Sequence, residues 1–408
     1  MDSASAGAPH QGSSNTGVTV VGIPARNEAA TIGAVARTAD AGLTRAFPDG
    51  INVIVLAENG SVDDTAEQFL AARGQARQLV VRSGAEGTGK GTNVFAITEQ
   101  AMELGADRVV LLDADVRSTE PEWIELLARA VDGDQPTLAV PMYRRNRFEA
   151  NTTNHLASPL LAAVFGVHVQ QPIGGEFAYN KAFMERMRTW TRPASSYLYG
   201  IDIWLTGNAL REGLRVVEVP LGRKLHNSPF PKILWLPQQV LDALFHVVSR
   251  LDHTRPMLTD VPPCRSAVDT AAVPQDPEII ARVTGGLGRY LAANGGEFVE
   301  LFPSAAGLPE APWGLRVGAD RWPSLLVDAL EALAGGHFLA ARDHLIALYV
   351  NRVFSFWDEI AGLDGNQIDD LLDRVASATA AEVARRNIRF DGVATPSNFT
   401  TGMWAGLA

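Results

Sequence analysis

An α/β fold with a mostly parallel sheet, followed by a helical C-terminal region, is the architecture that the sequence predicts. Three observations carry that expectation. Short, β-branched apolar runs alternate with helical stretches between Val18 and Pro141, the signature of repeated βαβ units. One of these runs, Val109-Val110-Leu111-Leu112, is apolar throughout and ends in Asp113-Ala114-Asp115, as a fully buried strand does where it meets a ligand site. Beyond about Lys232 the strand-like runs stop and long helical patterns take over.

Taken in order, Val18–Ile23 is a first buried strand ended by Pro24, and Ala25-Arg26-Asn27-Glu28 leads into a helix to about Ala41. Ile51–Ala57 is a second strand, Glu58-Asn59-Gly60-Ser61 a turn cluster, and Asp63 or Asp64 the cap of a helix to about Arg73. Gln78–Arg82 is a third strand, Gly84–Gly91 a glycine-rich loop and Thr92–Leu104 a helix. After the central strand a helix starts at Pro121, since proline suits a first helical turn. Thr137–Pro141 is the fifth strand. From Tyr143 to Pro229 the pattern loosens and fills with Gly, Asn, Arg and aromatics, where a substrate site would be elaborated; Arg215–Val219 is a short strand within it. Helices are expected over Ile233–Leu251, Pro277–Ala293, Ser324–Ala334, Phe338–Ala361 and Ile368–Arg386, with proline-rich Asp252–Asp276 as a surface linker. The division expected is a tail over 1–17, a catalytic α/β domain over 18–230, a helical domain over 231–395 and a tail over 396–408.

Composition narrows the class. With 408 residues, about two domains are expected, and 46% hydrophobic residues is ample for their cores. A formal charge of -11 argues against a nucleic-acid partner. The one cysteine, Cys264, excludes an intrachain disulfide and fits a reducing compartment. Residues 1–17 are small and polar without the apolar core of a signal peptide, and no apolar run approaches the 18 or so residues that a membrane span needs. A cytoplasmic protein without a membrane span is expected. The helix Ile233–Leu251 lacks a basic polar face, so its apolar side reads as core or subunit interface, and a homodimer is expected.

The candidate chemistry sits at strand ends. Asp113 and Asp115 are two apart, so on extended backbone they point the same way. Two hard oxygen ligands so placed suit a divalent cation carrying a phosphorylated ligand, or else they are a helix cap and a loop residue. Glu58, beside a glycine turn, suits a base or ribose hydroxyl, or merely shapes the turn. Gly84-Ala-Glu-Gly-Thr-Gly89-Lys90-Gly91-Thr92 offers backbone amides and a cation to phosphate. It approaches G-x-x-x-x-G-K-[ST] but puts Gly91 where the hydroxyl belongs, which weighs against a P-loop nucleotide hydrolase. Gln170-Gln171-Pro172-Ile173-Gly174-Gly175-Glu176 permits close backbone approach to a ligand beside a carboxylate. Asp202 either caps a helix or orients a sugar hydroxyl. His226, in the basic turn Arg223-Lys224-Leu225-His226, suits a metal or phosphate. Arg144, Arg145 and Arg147 form a solvated face or clamp an anionic acceptor.

The ordered series P-A-R-N-E, E-N-G-S-x-D-D, G-x-G-K-G, D-A-D, Y-R-R, Q-P-I-G-G-E, G-I-D and K-L-H spans Val18–Asn227. It resembles the type-A glycosyltransferases of the glucosyl-phosphoglycerate synthase and mannosylglycerate synthase kind. A weaker resemblance continues into Leu348–Trp357. It implies a type-A fold and a metal-dependent, retaining transfer of glucose or mannose from a nucleotide-diphosphate sugar to glycerate, 3-phosphoglycerate or a related small acid. Pro24, Arg26, Glu28, Glu58, Asp113 and Ala114 would line the nucleotide pocket, with Lys90 near it and Asp113 on the ribose. Asp115 and His226 would hold Mg²⁺ or Mn²⁺ against the diphosphate. Gly174, Gly175, Glu176 and Asp202 would surround the sugar and acceptor, Arg145 would meet the acceptor carboxylate, and Asp202, Glu176 and Lys90 are the catalytic candidates. UDP- or GDP-hexose as donor stays open, as does the face of attack, for which Glu176 or Asp202 is an available nucleophile. A P-loop-like hydrolase and a non-catalytic nucleotide-sugar-binding protein are the alternatives.

Overall fold

The computed structural model describes residues 17–83, 89–225, 232–251, 254, 268–270, 277–390 and 393–396. Seven strands form its main sheet: β1 (Val18–Ala25), β2 (Ile51–Glu58), β3 (Arg77–Arg82), β4 (Arg108–Leu111), β5 (Thr137–Arg144), β6 (Ala178–Asn180) and β7 (Arg215–Arg223). Their order is β3-β2-β1-β4-β6-β5-β7, parallel except for β6, which runs against both its neighbours. The chain winds outward from β1 to β3 and then crosses back to β4 on the other side. Crevices open at such a reversal, outside the carboxyl ends of the strands. Pro24 lies inside β1 rather than ending it. It is tolerated because β4 pairs only as far as Gly22, and Leu112 donates the last bond to Gly22 O.

Alternate residues of each central strand face different helices, as the two-residue period of a strand requires. Val21, Ile23, Ile54, Leu56, Val110 and Leu112 pack with α1 (Ile32–Ala46) and α4 (Pro121–Ala130). Val20, Val53, Val55, Val109 and Leu111 pack on the opposite face with α3 (Lys90–Glu103), α5 (Ser158–Phe165) and α7 (Ile201–Arg211). The latter core does not stop near residue 230. It runs on through α8 (Leu236–Val248), α9 (Pro277–Leu301), α10 (Trp322–Ala334), α11 (Phe338–Glu359) and α12 (Gly365–Arg386), with α12 against α5 and α8 against α7. The helical C-terminal region is thereby built onto one face of the sheet.

The stretch from Tyr143 to Pro229 holds more structure than its irregular pattern predicts. Every residue of α5 is buried, as is nearly all of α7, so neither has a polar stripe to mark its period. β7 runs to Arg223 rather than ending at Val219, which carries the chain to Lys224 at the sheet's carboxyl edge.

Candidate active site

The β1 and β2 ends are locked together first. Asn27 adopts a left-handed φ of 58°, accepts from Val62 N at 2.9 Å and donates its own N–H to Ser61 Oγ at 3.1 Å. Glu28 N donates to Thr65 Oγ1 at 2.9 Å. Glu58 is buried and turned onto its own loop, accepting from Ser61 N at 2.9 Å, with Arg82 Nε 3.7 Å away. It is not among the residues that line the cavity described below. Its neighbour Asn59 does line the cavity and ties the two loops to α3 by donating to Gly89 O at 3.1 Å.

At the entrance of α3, among the described residues, the Gly91 amide is already engaged. Residues 84–88 of the glycine-rich loop lie outside the described residues. Gly91 N donates to Leu198 O at 3.1 Å, and a Cβ on Gly91 would stand 1.9 Å from Ser196 O. Glycine is there for the close approach of 196–198. Lys90 turns inward, onto carboxylates.

Those carboxylates form a buried cluster. Lys90 Nζ lies 2.8 Å from Asp113 Oδ1 and 3.2 Å from Asp202 Oδ1. Lys224 Nζ lies 3.1 Å from Asp113 Oδ2 and 2.7 Å from Glu176 Oε2, and donates to Gly174 O at 2.8 Å. Tyr143 OH donates to the same Glu176 Oε2. Burial alone would raise the Asp113 pKa, but the two ammonium groups outweigh it and hold the carboxyl well below its usual range. Lys90 is raised despite its burial, through Asp113 and Asp202. Gly175, at φ +100°, admits this arrangement, since a Cβ there would stand 2.2 Å from Asp113 Oδ2.

Asp115 behaves differently. It is half-buried, and among the described residues no ion pair to it forms within 4.0 Å. Burial raises its pKa and the neighbouring Asp113 raises it further. Glu28 is raised likewise, by burial and then by Asp115. Two acids therefore face a common space in which a cation would relieve their repulsion. Among the described residues no three His, Cys, Asp or Glu side chains gather tightly enough to hold a metal alone. His226, the second expected metal ligand, lies outside the described residues.

A cavity of about 750 Å³ opens over the cluster. Of the residues expected from sequence, Pro24, Arg26, Glu28, Lys90, Asp113, Ala114, Asp115, Arg145, Gly174, Gly175 and Asp202 line it. Glu176 does not; it lies fully buried behind Lys224 and Tyr143. Arg145 donates from Nε to Gln171 Oε1 at 3.2 Å and stacks its guanidinium 4.9 Å from the Tyr143 ring centre. The sequence reading missed Lys224, Tyr199, Lys232, Trp235 and Tyr349 in the wall. Lys224 had a signal, standing two residues before His226 in K-L-H. Tyr349 had only the weaker resemblance over Leu348–Trp357, in α11 far along the chain.

Comparison with known proteins points to a class for the N-terminal part of the chain. Residues 20–191 match the model of glycosyl transferase family 2. That stretch is similar to family 2 glycosyltransferase domains. That match covers β1 to α6 (Lys181–Met187), so it contains Asp113, Asp115 and the Gly174-Gly175-Glu176 turn. No curated protein matches the chain. Among solved structures, glucosyl-3-phosphoglycerate synthase from Mycobacterium tuberculosis with Mg²⁺ and UDP is similar at 26% identity, over 58% of this chain and 81% of that one, with a TM-score of 0.46. The same synthase with Mn²⁺, UDP and phosphoglyceric acid is similar at 26% identity over 57% and 78%, TM-score 0.45. A mycobacterial protein is similar at 26% identity over 60% and 80%, TM-score 0.48. The transferase class expected from the motif series is met, as is the mostly parallel sheet with a helical C-terminal region. Among the described residues no helix is long and apolar enough to cross a membrane.

Proposed function

We propose that this transferase moves a hexose, glucose or mannose, from a nucleoside-diphosphate sugar to a small hydroxy acid such as glycerate or 3-phosphoglycerate, with retention at the anomeric carbon. The observation that carries the reading is the Lys90–Asp113–Lys224 cluster beneath a cavity whose wall also holds Asp115 and Arg145. Asp113 has both oxygens fixed by ammonium groups yet keeps lone pairs for a ribose hydroxyl. Arg145, held edge-on by Gln171 and face-on by Tyr143, presents a planar donor set of the kind that matches a carboxylate or phosphate.

The raised Asp115, without an ion pair among the described residues and beside Glu28, supports a hard divalent cation, Mg²⁺ or Mn²⁺, held by Asp115 with His226. When bound, such an ion would supply Lewis-acid neutralisation of the departing diphosphate. The chain's own contribution is preorganised charge. Lys90, in contact with Asp202 and Gly175 O, sits where negative charge builds as the glycosidic bond breaks. The acceptor hydroxyl oxygen bonds to the anomeric carbon as that carbon's bond to the diphosphate breaks, and the hydroxyl proton passes to the leaving oxygen on the same face. Glu176, shielded by Lys224 and Tyr143, serves as an anchor rather than a nucleophile. We further propose that the chain acts as a homodimer, which light scattering at micromolar concentration would refute by returning a monomer mass.

The test crosses UDP-glucose, UDP-mannose, GDP-glucose and GDP-mannose with glycerate, 3-phosphoglycerate and glycerol, in Mg²⁺, Mn²⁺ or EDTA. Release of nucleoside diphosphate with one anionic acceptor, abolished by EDTA, supports the reading. Metal-independent release, or equal release with glycerol, would count against it.

A further inference from the structure

We propose that Tyr143 is a positioning residue that ties the acceptor end of the cavity to the charged cluster under the donor; the role rests on the transfer reaction proposed above. Five interactions, with four residues, converge on this one buried side chain and its backbone. Its hydroxyl donates to Glu176 Oε2, the oxygen that also accepts from Lys224 at 2.7 Å. Its ring carries Lys224 Nζ at 5.4 Å and the Arg145 guanidinium at 4.9 Å. Its backbone exchanges two bonds with the Gln171 amide, N–H to Oε1 at 3.2 Å and C=O from Nε2 at 2.6 Å. That same Gln171 Oε1 accepts from Arg145.

The strand geometry shows that this convergence is built. β5 and β7 pair in regular register up to Met142 and Pro220, after which Tyr143 pairs with Gly222, leaving Leu221 extra on β7. Gly222 takes the left-handed φ of 75° at this irregularity. A one-residue slip sends every later side chain to the opposite face. The extra residue therefore sets which side of the sheet edge Lys224 occupies, and Lys224 is the side chain that meets Tyr143 and Glu176. Without the Tyr143 hydroxyl, Glu176 keeps a single strong donor and Lys224 loses the fixed carboxylate that aims it at Asp113. Without the ring, Arg145 loses its platform as well. Loss of the oxygen alone should therefore touch the chemical step, and loss of the ring should add a defect in acceptor binding.

The experiment measures steady-state transfer, in Mn²⁺, from UDP-glucose and GDP-mannose to glycerate and 3-phosphoglycerate. It compares the parent chain with Tyr143→Phe, Tyr143→Leu and Glu176→Gln, with folded fraction followed by circular dichroism. Tyr143→Phe should lower kcat about tenfold or more while leaving the acceptor KM within roughly twofold. Tyr143→Leu should show the same kcat loss and raise the acceptor KM roughly fivefold or more. Glu176→Gln keeps the shape but not the charge, and should reproduce the kcat loss alone; it decides the matter if Tyr143→Phe does not fold. A kcat for folded Tyr143→Phe within about twofold of the parent overturns the proposal, as does a common drop of kcat and acceptor affinity in all three variants. No turnover by the parent chain with any pair overturns the transfer reading itself, and the positioning role with it.

Discussion

Lys90 and Asp113 meet at 2.8 Å with little solvent between them, and Lys224 takes the other Asp113 oxygen at 3.1 Å. A carboxylate gripped on both oxygens cannot lose one ammonium cheaply, because removing one partner of a buried pair leaves an uncompensated charge. Lys90→Met should therefore lower the unfolding free energy by roughly 3 kcal/mol in urea denaturation and abolish transfer. Adding Asp113→Asn to that variant should recover part of the stability and none of the activity. Unchanged stability in Lys90→Met would show that the pair is not buried as described.

Asp115 should give the opposite pattern. It has no ion pair among the described residues and is disfavoured by burial and by Asp113. Asp115→Ala should leave the urea midpoint unchanged or slightly raised, within about 0.5 kcal/mol, while transfer falls below detection. Retained transfer would remove Asp115 from the metal assignment.

Gly175 is a sharp steric test. Alanine there would need both φ near +100° and a Cβ 2.2 Å from Asp113 Oδ2. Gly105, at φ +68° with nothing within 4 Å of an added Cβ, isolates the backbone cost alone. Gly105→Ala should cost about 1 kcal/mol and keep activity. Gly175→Ala should cost clearly more, on the order of 3 kcal/mol, and lose transfer, as read from thermal midpoints beside rates. Equal costs at the two positions would contradict the close approach.

A pH dependence attaches to Glu218. Burial pushes its carboxyl up to about 7, against the opposing amides of Gln170 and Gln171, of which Gln170 N donates at 2.7 Å. Between the unfolded value of 4.5 and about 7 the folded state then binds more protons than the unfolded one. The stabilisation from this group is complete below 4.5 and is lost as pH rises through about 7. Glu218→Gln should thus match the parent near the acid end of that range. Above it, the variant should be more stable than the parent by on the order of 2 kcal/mol in urea titrations. A stability difference independent of pH would contradict the raised value.

What the sequence made legible follows from packing. β4 is central and buried on both faces, so it reads as an unbroken apolar run, and Asp113 and Asp115 stand out where it ends. Lys90 was legible because two glycines flank it, although their reason is the backbone of 196–198 rather than phosphate. Glu58 was ambiguous in sequence because an acid at a strand end can equally bond its own turn, as it does with Ser61. Lys224 was obscured because β7 is half-exposed and carries an extra residue at Leu221, which breaks the two-residue period. β6 pairs over only three residues, too few for any period to register. Tyr143 shows in sequence as one aromatic before two arginines; only the folded sheet brings it to Glu176.

The most direct test of the account is a proton NMR spectrum of the product. The chain would be incubated with UDP-glucose or GDP-mannose, glycerate or 3-phosphoglycerate, and Mn²⁺. The account predicts a new glycoside whose anomeric proton keeps the α configuration of the donor, appearing in step with free nucleoside diphosphate. An inverted anomer would contradict same-face transfer. Free hexose alone, or no reaction with any pair, would contradict the assignment of this site to glycosyl transfer onto a small acid.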